Sequence, residues 1–428
     1  MTYLITSGRV IDPANNIDDI LDIYISGGKI ENIGKNLNVK ADETIDAKGK
    51  IVAPGLVDMH AHLREPGRED KETIHSGTRA ALRGGFTTVA AMPNTDITID
   101  NVNTVKLVRN IIEKDALVNV AIIGAITEKR EGKKLVDAKA LKKEGVIALS
   151  DDGASVDDDE TLTSALKAAK KEGLVVIEHC EDKNLSGSGV MNEGYVSTKM
   201  GLRGMPKSSE YERVKRDLEL AKKCEGRIHI AHISCKESVE LMRQAKKAGV
   251  NATAETCPHY LALTDECCVT YDTSMKMNPP LRAKDDVAAV KAGLKDGAID
   301  AIATDHAPHT DSEKDVEFDC APFGVIGFET ALSIAVMELV EPKILSWSEL
   351  ITRMAVNPSN ILGLDKANLK KGKRADIIII DPQKEYTYKK ESIESKSKNS
   401  PFINWKLKAK VTHVFVAGNK VMGDEVIA

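Results

Sequence analysis

The sequence predicts an α/β protein, a TIM (β/α)8 barrel joined to a small β-sandwich built from both chain ends. Three observations carry this. One phrase recurs through residues 54–365: an apolar strand, a polar turn, then a Lys/Glu/Ala-rich helical stretch. Histidines and aspartates gather where those apolar strands end. Short apolar runs separated by turn residues occupy both ends of the chain. With 428 residues, the chain is too long for one ordinary core and suits two domains or a barrel with additions.

At the N-terminal end, apolar runs at 3–5, 22–25 and 29–33 alternate with the turn clusters Asp12-Pro13-Ala14-Asn15 and Ser26-Gly27-Gly28. At the C-terminal end, runs at 375–380 and 411–416 are followed by Ala417-Gly418-Asn419-Lys420, a hairpin signal. Neither piece can bury a good core alone. Residues 1–53 and 366–428 are therefore expected to join as one β-sandwich, with the 54–365 barrel inserted between them. Eight strands are predicted in the barrel, ending at His62, Met92, Ala125, Ser150, His179, His232, Thr256 and Asp305. The helical stretches 159–172 and 238–248 end in Gly173 and Gly249, residue types that favour helix C-caps. Eight such β/α units indicate a TIM barrel. An open doubly wound sheet is the alternative, but neither G-x-G-x-x-G nor G-x-x-x-x-G-K-[ST] supports it. Residues 306–328 make a connection long enough for a lid or binding loop, and 184–210 is a second candidate.

Composition excludes several classes. Net charge is −5, and no basic stripe interleaves with aromatics, so no nucleic-acid partner is expected. No run approaches the roughly 18 apolar residues of a spanning helix. Residues 1–16 lack a cationic segment followed by an apolar one, so no secretory signal is expected. Seven scattered Cys without a C-x-x-C pair read as reduced thiols of a cytoplasmic protein.

The chemistry starts at Asp58-Met59-His60-Ala61-His62, after the apolar run 51–57. Period-two alternation sends His60 and His62 to one side of a strand. Two neutral imidazoles at a strand end suit a shared zinc-like ion. In a barrel, functional groups gather at the C-terminal strand ends. Asp151 and Asp152 end strand four there, His179 strand five, His232 strand six and Asp305 strand eight. Four His and at least two Asp exceed the needs of one tetrahedral ion. One or two zinc ions are expected, with two favoured, bridged by a carboxylate and roughly 3.5–4 Å apart. His229 lies an odd number of positions from His232 and is expected on the other strand face. With His75 and His413 it reads as structural, and His259 after strand seven stays open.

Four stretches carry a resemblance: His60-Ala61-His62-Leu63-Arg64-Glu65-Pro66-Gly67, Met92-Pro93-Asn94-Thr95, Met277-Asn278-Pro279-Pro280-Leu281-Arg282, and Ala303-Thr304-Asp305-His306-Ala307-Pro308-His309. They resemble signatures of the amidohydrolase superfamily and, within it, of the dihydroorotases. The resemblance covers essentially the whole chain. Many relatives bridge their metals with a carboxylated Lys on strand four. Residues 145–150 hold no Lys here, and Asp152 stands as the bridge of an Asp-using dihydroorotase subgroup, with Asp151 its neighbour. The implied metal ligands are His60, His62, Asp152, His179, His232 and Asp305. The implied reaction is reversible closure of N-carbamoyl-L-aspartate to L-dihydroorotate with loss of water, a pyrimidine-biosynthetic step. Asp305 would carry the proton. Arg64 would hold the substrate carboxylate bidentately, helped by Asn94, Asn278 and His309. Allantoinases and hydantoinases share His-x-His and the last Asp but lack that Arg. A catalytically silent barrel scaffolding a partner enzyme is the remaining alternative, and such a protein is expected to lose ligands. Association with aspartate carbamoyltransferase follows by family analogy alone.

Overall fold

Both chain ends contribute strands to one sheet, and the middle closes into a barrel. The computed structural model describes residues 1–423. The N-terminal end forms β1 (Tyr3–Asp12), β2 (Ile17–Ser26), β3 (Lys29–Gly34), β4 (Glu43–Asp46) and β5 (Ile51–Pro54). The barrel then begins with β6 (Leu56–Ala61), β7 (Phe86–Ala91), β8 (Asn119–Gly124), β9 (Ala148–Ser150) and β10 (Val175–Glu178). A short pair, β11 (Met191–Asn192) and β12 (Gly204–Met205), sits in the connection that follows. The barrel ends with β13 (Ile228–Ile230), β14 (Ala252–Thr256) and β15 (Ala301–Ile302). The C-terminal end adds β16 (Ile377–Thr387), β17 (Lys406–Val416) and β18 (Asn419–Met422).

The end strands run β18-β17-β16-β5-β1-β2-β3, with β4 also paired to β1. The rings of Tyr3 on β1 and Phe415 on β17 lie 5.1 Å apart between centroids. Those strands are three places apart, about 14 Å in a flat sheet at the usual spacing. The sheet therefore curls over its own core, and the two layers of the sandwich are halves of one network. Alternation divides the 377–380 isoleucine run. Ile377 and Ile379 enter the sheet's core with Ile5, Val10 and Ile23. Ile378 and Ile380 enter the core shared with the barrel helices. Strand β16 is thus buried on both faces, which is why its sequence is apolar without interruption. Gly55 joins β5 directly to β6, where a Cβ would overlap Thr87.

Eight parallel strands form the barrel, in the order β6-β7-β8-β9-β10-β13-β14-β15. Each ends within three residues of its predicted position. A parallel bridge from Ala61 to His306 closes the ring, and the His62 N–H donates to the His306 carbonyl at 2.9 Å. Asp58 ties the seam by accepting the backbone N–H groups of His60 and Thr304 and the Thr304 hydroxyl. Met59, Ile123, Val175, Ile177 and Ala303 fill the interior together with Ile361 and Leu362. Arg227, just before β13, donates to the Ile361 carbonyl, so Ile361 and Leu362 plug the N-terminal end and leave the opposite rim open. Helices Asp159–Lys171 and Lys236–Lys247 are followed by Gly173 (φ 68) and Gly249 (φ 74), in the left-handed conformation expected after a helix. Residues 388–405 leave the end sheet between β16 and β17. Tyr388, Ile393 and Phe402 pack there with Tyr260, Met277 and Val325 of the barrel. Among the described residues, no helix is long and apolar enough to cross a membrane.

Candidate metal centre and substrate pocket

The strand-end residues converge. His60 Nε2 lies 3.3 Å from Asp152 Oδ1 and 3.6 Å from Asp305 Oδ1. His62 Nε2 lies 3.0 Å from Asp305 Oδ1 and 3.5 Å from Asp152 Oδ2. His179 Nδ1 and His232 Nε2 stand 2.9 Å apart, at 3.8 and 3.7 Å from Asp152 Oδ1. Asp152 is thus the common neighbour of all four imidazoles. Donors about 2.1 Å from a tetrahedral ion stand about 3.4 Å from one another. The separations here bracket that value. Two triads, His60–Asp152–His232 and His60–His62–Asp305, have a geometry able to hold an ion.

Burial tests whether an ion fits. His60 Nε2 and Asp152 Oδ1 are buried without a hydrogen-bond partner. Buried polar atoms are normally satisfied, and a divalent cation between them would satisfy both. Imidazoles and carboxylates suit zinc or a similar first-row ion. Burial alone would raise the carboxyls of Asp152 and Asp305. The surrounding imidazoles overcome it and hold both below the usual carboxylate range.

Asp151 and Asp152 have separate roles. Asp151 accepts from the backbone N–H groups of Ile126 and Thr127 at 2.8 and 3.1 Å and from the Thr127 hydroxyl. It ties strand four to the segment after strand three, and Asp152 alone turns into the cluster. The imidazoles are held from behind. His62 Nδ1 faces Asn94 Oδ1 at 2.8 Å. His179 Nε2 faces Glu181 Oε2 at 3.2 Å, and the same oxygen accepts from Asn278 Nδ2 at 3.0 Å. Burial would raise the Glu181 carboxyl, but His179, Ser186 and Asn278 bring it down to about 2. His60 Nδ1 faces Glu255 Oε1 at 2.7 Å. Sequence reasoning missed Glu181 and Glu255. The signals were a Glu two residues after His179 and a carboxylate inside the otherwise neutral strand β14.

His229 departs from its expected place. It lies 3.3 Å from Glu255 Oε2 and so sits beneath the cluster, not across the strand from it. Parity fails because β13 stops at Ile230 and His232 takes a left-handed backbone at φ 34. His259 is buried and pushed down to about 4 by burial, so it is neutral at ordinary pH.

A cavity of about 370 Å³ opens beside the cluster, lined by Arg64, Asn94, Asn278, His309 and Phe323 as well as His62, Asp152 and Asp305. Arg64 Nε donates to the Pro308 carbonyl at 3.1 Å, which leaves the guanidinium's far edge available. Burial lowers Arg64 to about 10 against the raising influence of Asp305 and Asp152, so it stays charged at neutral pH. Burial, with Arg64 and Lys71 beside it, pushes His309 down to about 3. His309 is therefore neutral. Its Nε2–H donates to the Phe323 carbonyl at 2.8 Å, and its Nδ1 accepts from the Lys71 ammonium at 3.2 Å. All four residues expected to touch substrate line this one cavity. Asn94 also orients His62 directly, and Asn278 is bonded to Glu181, the group that orients His179.

Comparison with known proteins gives the family. Residues 49–238 match the family model described as dihydro-orotase-like. A dihydroorotase of Elusimicrobium minutum (strain Pei191) is 52% identical over 418 residues, covering 98% of this chain and 97% of that protein. The chain belongs to the dihydroorotase family. A dihydroorotase of Acetivibrio thermocellus is 49% identical over 424 residues, covering 99% of this chain and 100% of its own. Membership makes the chain a cyclic amide hydrolase with dihydroorotase activity. A solved D-hydantoinase superposes with a TM-score of 0.88 at 25% identity, covering 100% of this chain and 96% of that one. An L-hydantoinase from Arthrobacter aurescens reaches 0.89 at 23% identity over 100% and 97% of the two chains, a likeness of fold. This chain thus shares its fold with those hydantoinases.

Proposed function

We propose that the strand-end cluster holds two zinc ions and that the cavity beside it closes N-carbamoyl-L-aspartate to L-dihydroorotate and opens it again. His60, His62, Asp152, His179, His232 and Asp305 would hold them, with Asp152 the carboxylate common to all four imidazoles. Bound zinc supplies Lewis acidity, lowering the pKa of water towards about 7 and polarising a carbonyl. Asp305 takes the proton of the attacking water and delivers it to the departing ring nitrogen. Arg64 binds the retained carboxylate through two parallel N–H donors. His309 and Asn278 complete that end of the pocket, and Asn94 the side next to Asp152. The ring form has one carboxylate fewer, so closure consumes a proton. Equilibrium then moves towards dihydroorotate by about tenfold for each pH unit lowered, the linkage of one proton.

The observation that carries the reading is a half-buried, charged Arg64 in the same cavity as the ligand cluster. A hydantoin ring brings no carboxylate to meet Arg64's two-pronged donor. The hydantoinase likeness makes that the second reading. Assaying the purified protein on dihydroorotate, hydantoin and allantoin, with metal analysis alongside, separates the two. Dihydroorotate is expected to be turned over far faster, at about two zinc per chain. Preference for hydantoin would overturn the assignment. We place the reaction in cytoplasmic pyrimidine synthesis. Its substrate comes from a carbamoyl transfer to aspartate, and contact with the carbamoyltransferase is testable by co-purification. Catalysis is assigned to residues 54–365, with 1–53 and 366–428 as the supporting unit, of which 424–428 lie outside the described residues.

A further inference from the structure

Strand β14 contributes no ligand to the cluster assigned above. Its inward carboxylate, Glu255, is nonetheless fully buried and lies between two imidazoles. Oε1 stands 2.7 Å from His60 Nδ1. Oε2 stands 3.3 Å from His229 Nε2, and His229 Nδ1 is 2.8 Å from the Thr253 hydroxyl. Glu255, His60 and His229 all have 0% exposure, so water does not compete for these contacts. A carboxylate can only accept, so the atom facing Oε1 must be an N–H. His60 therefore carries a proton on Nδ1, and Nε2, which faces Asp152 and Asp305 without a hydrogen-bond partner, is the atom left for a metal ion. Of the other imidazoles, His179 also has a carboxylate behind it, Glu181 at 3.2 Å, while two have less. His62 has the neutral amide of Asn94, and His232 Nδ1 has no hydrogen-bond partner.

We propose that Glu255 is a positioning residue that fixes the tautomer and ring orientation of His60 for metal binding. His60 is the member common to both candidate triads, so its orientation bears on both. Loss of such an outer carboxylate typically weakens metal binding by about 10–100-fold. The inference rests on the ligand assignment above, and its test separates the two. Zinc dissociation constants are measured by chelator competition on full-length wild type, Glu255→Gln and Glu255→Ala. The amide oxygen of Gln still accepts from Nδ1–H, so E255Q is expected to stay near wild type while E255A weakens by about 10–100-fold. E255A binding zinc as tightly as wild type would overturn the proposal. Independently, ¹⁵N shifts of His60 in the metal-free wild-type protein, identified by loss of its signals in His60→Asn, are expected to report Nδ1–H. An Nδ1 without a proton there would overturn the proposal even where E255A fails to fold. Wild type that takes up no zinc overturns the ligand assignment instead, and the tautomer then decides Glu255 alone.

Discussion

Arg64, His232 and Asp305 share an unusual backbone, with φ of 61, 34 and 47. Side-chain-bearing residues rarely sit in the left-handed region, and such strain, of order 1–3 kcal/mol each, clusters at functional sites. Here it turns three side chains off their strand ends and into one cavity. Two predictions belong to these residues. Asp305→Asn keeps shape but cannot carry the proton, so kcat should fall at least about 10²-fold while the thermal midpoint is kept. Near-normal turnover would remove Asp305 from the mechanism. Arg64→Met should raise KM for carbamoyl aspartate more than it weakens binding of an analogue lacking the carboxylate, and equal effects would contradict the pairing. The six proposed ligands are legible in the sequence because chain position and side-chain chemistry coincide at barrel strand ends. Glu255 is less so. Glu178 is also a buried strand carboxylate, yet burial and nearby Asp217 push it well above the usual range, and it faces away from the cluster. Only three-dimensional neighbours distinguish one buried acid from another.

The loop after strand eight is held by residues far away in sequence. Asn399, in the 388–405 excursion, donates to the Ala307 and Gly324 carbonyls at 3.2 and 3.1 Å. Its side-chain oxygen accepts the His309 N–H at 3.2 Å. Ser397 and the Lys396 N–H bind Lys71 and Glu72 behind the Arg64 loop. The C-terminal excursion therefore braces both walls of the substrate end. Sequence reasoning finds the 306–328 loop from its length but not this brace, because residues 389–400 are a Ser/Lys-rich stretch without periodicity. Asn399→Ala leaves two carbonyls and one N–H unpaired in a buried place, each costing about 1–3 kcal/mol. Amide exchange across 307–326 should accelerate and KM should rise, with kcat less affected. Unchanged exchange there would show that the loop is held by other contacts, such as the Lys314 ammonium on the Pro322 carbonyl at 2.8 Å.

At the scale of the whole molecule, sheet, barrel and excursion meet around Glu329, on the barrel helix Phe328–Ala335. Its Oε1 accepts the N–H groups of Glu394 and Ser395 at 2.9 and 3.2 Å. The side chain faces a cavity of about 140 Å³ shared with Tyr386 and Val411 of the end sheet. Burial pushes this carboxyl up to about 8, more than the two N–H bonds can offset. The folded state therefore holds a proton that the unfolded chain releases near pH 4.5, the ordinary value for Glu. A carboxyl with a raised folded pKa stabilises fully below its unfolded value, and that contribution is lost as pH rises through the folded one. The window is thus from about 4.5 to about 8. Glu329→Gln imitates the protonated form at every pH. Its thermal midpoint should match wild type at pH 5 and exceed it increasingly towards pH 9, read by scanning calorimetry on metal-loaded protein. Parallel curves would mean that the carboxyl titrates normally and that the junction of sheet and barrel is open to water. A gap widening with pH would identify this junction as the part of the molecule that gives way first under alkaline conditions, away from the catalytic rim.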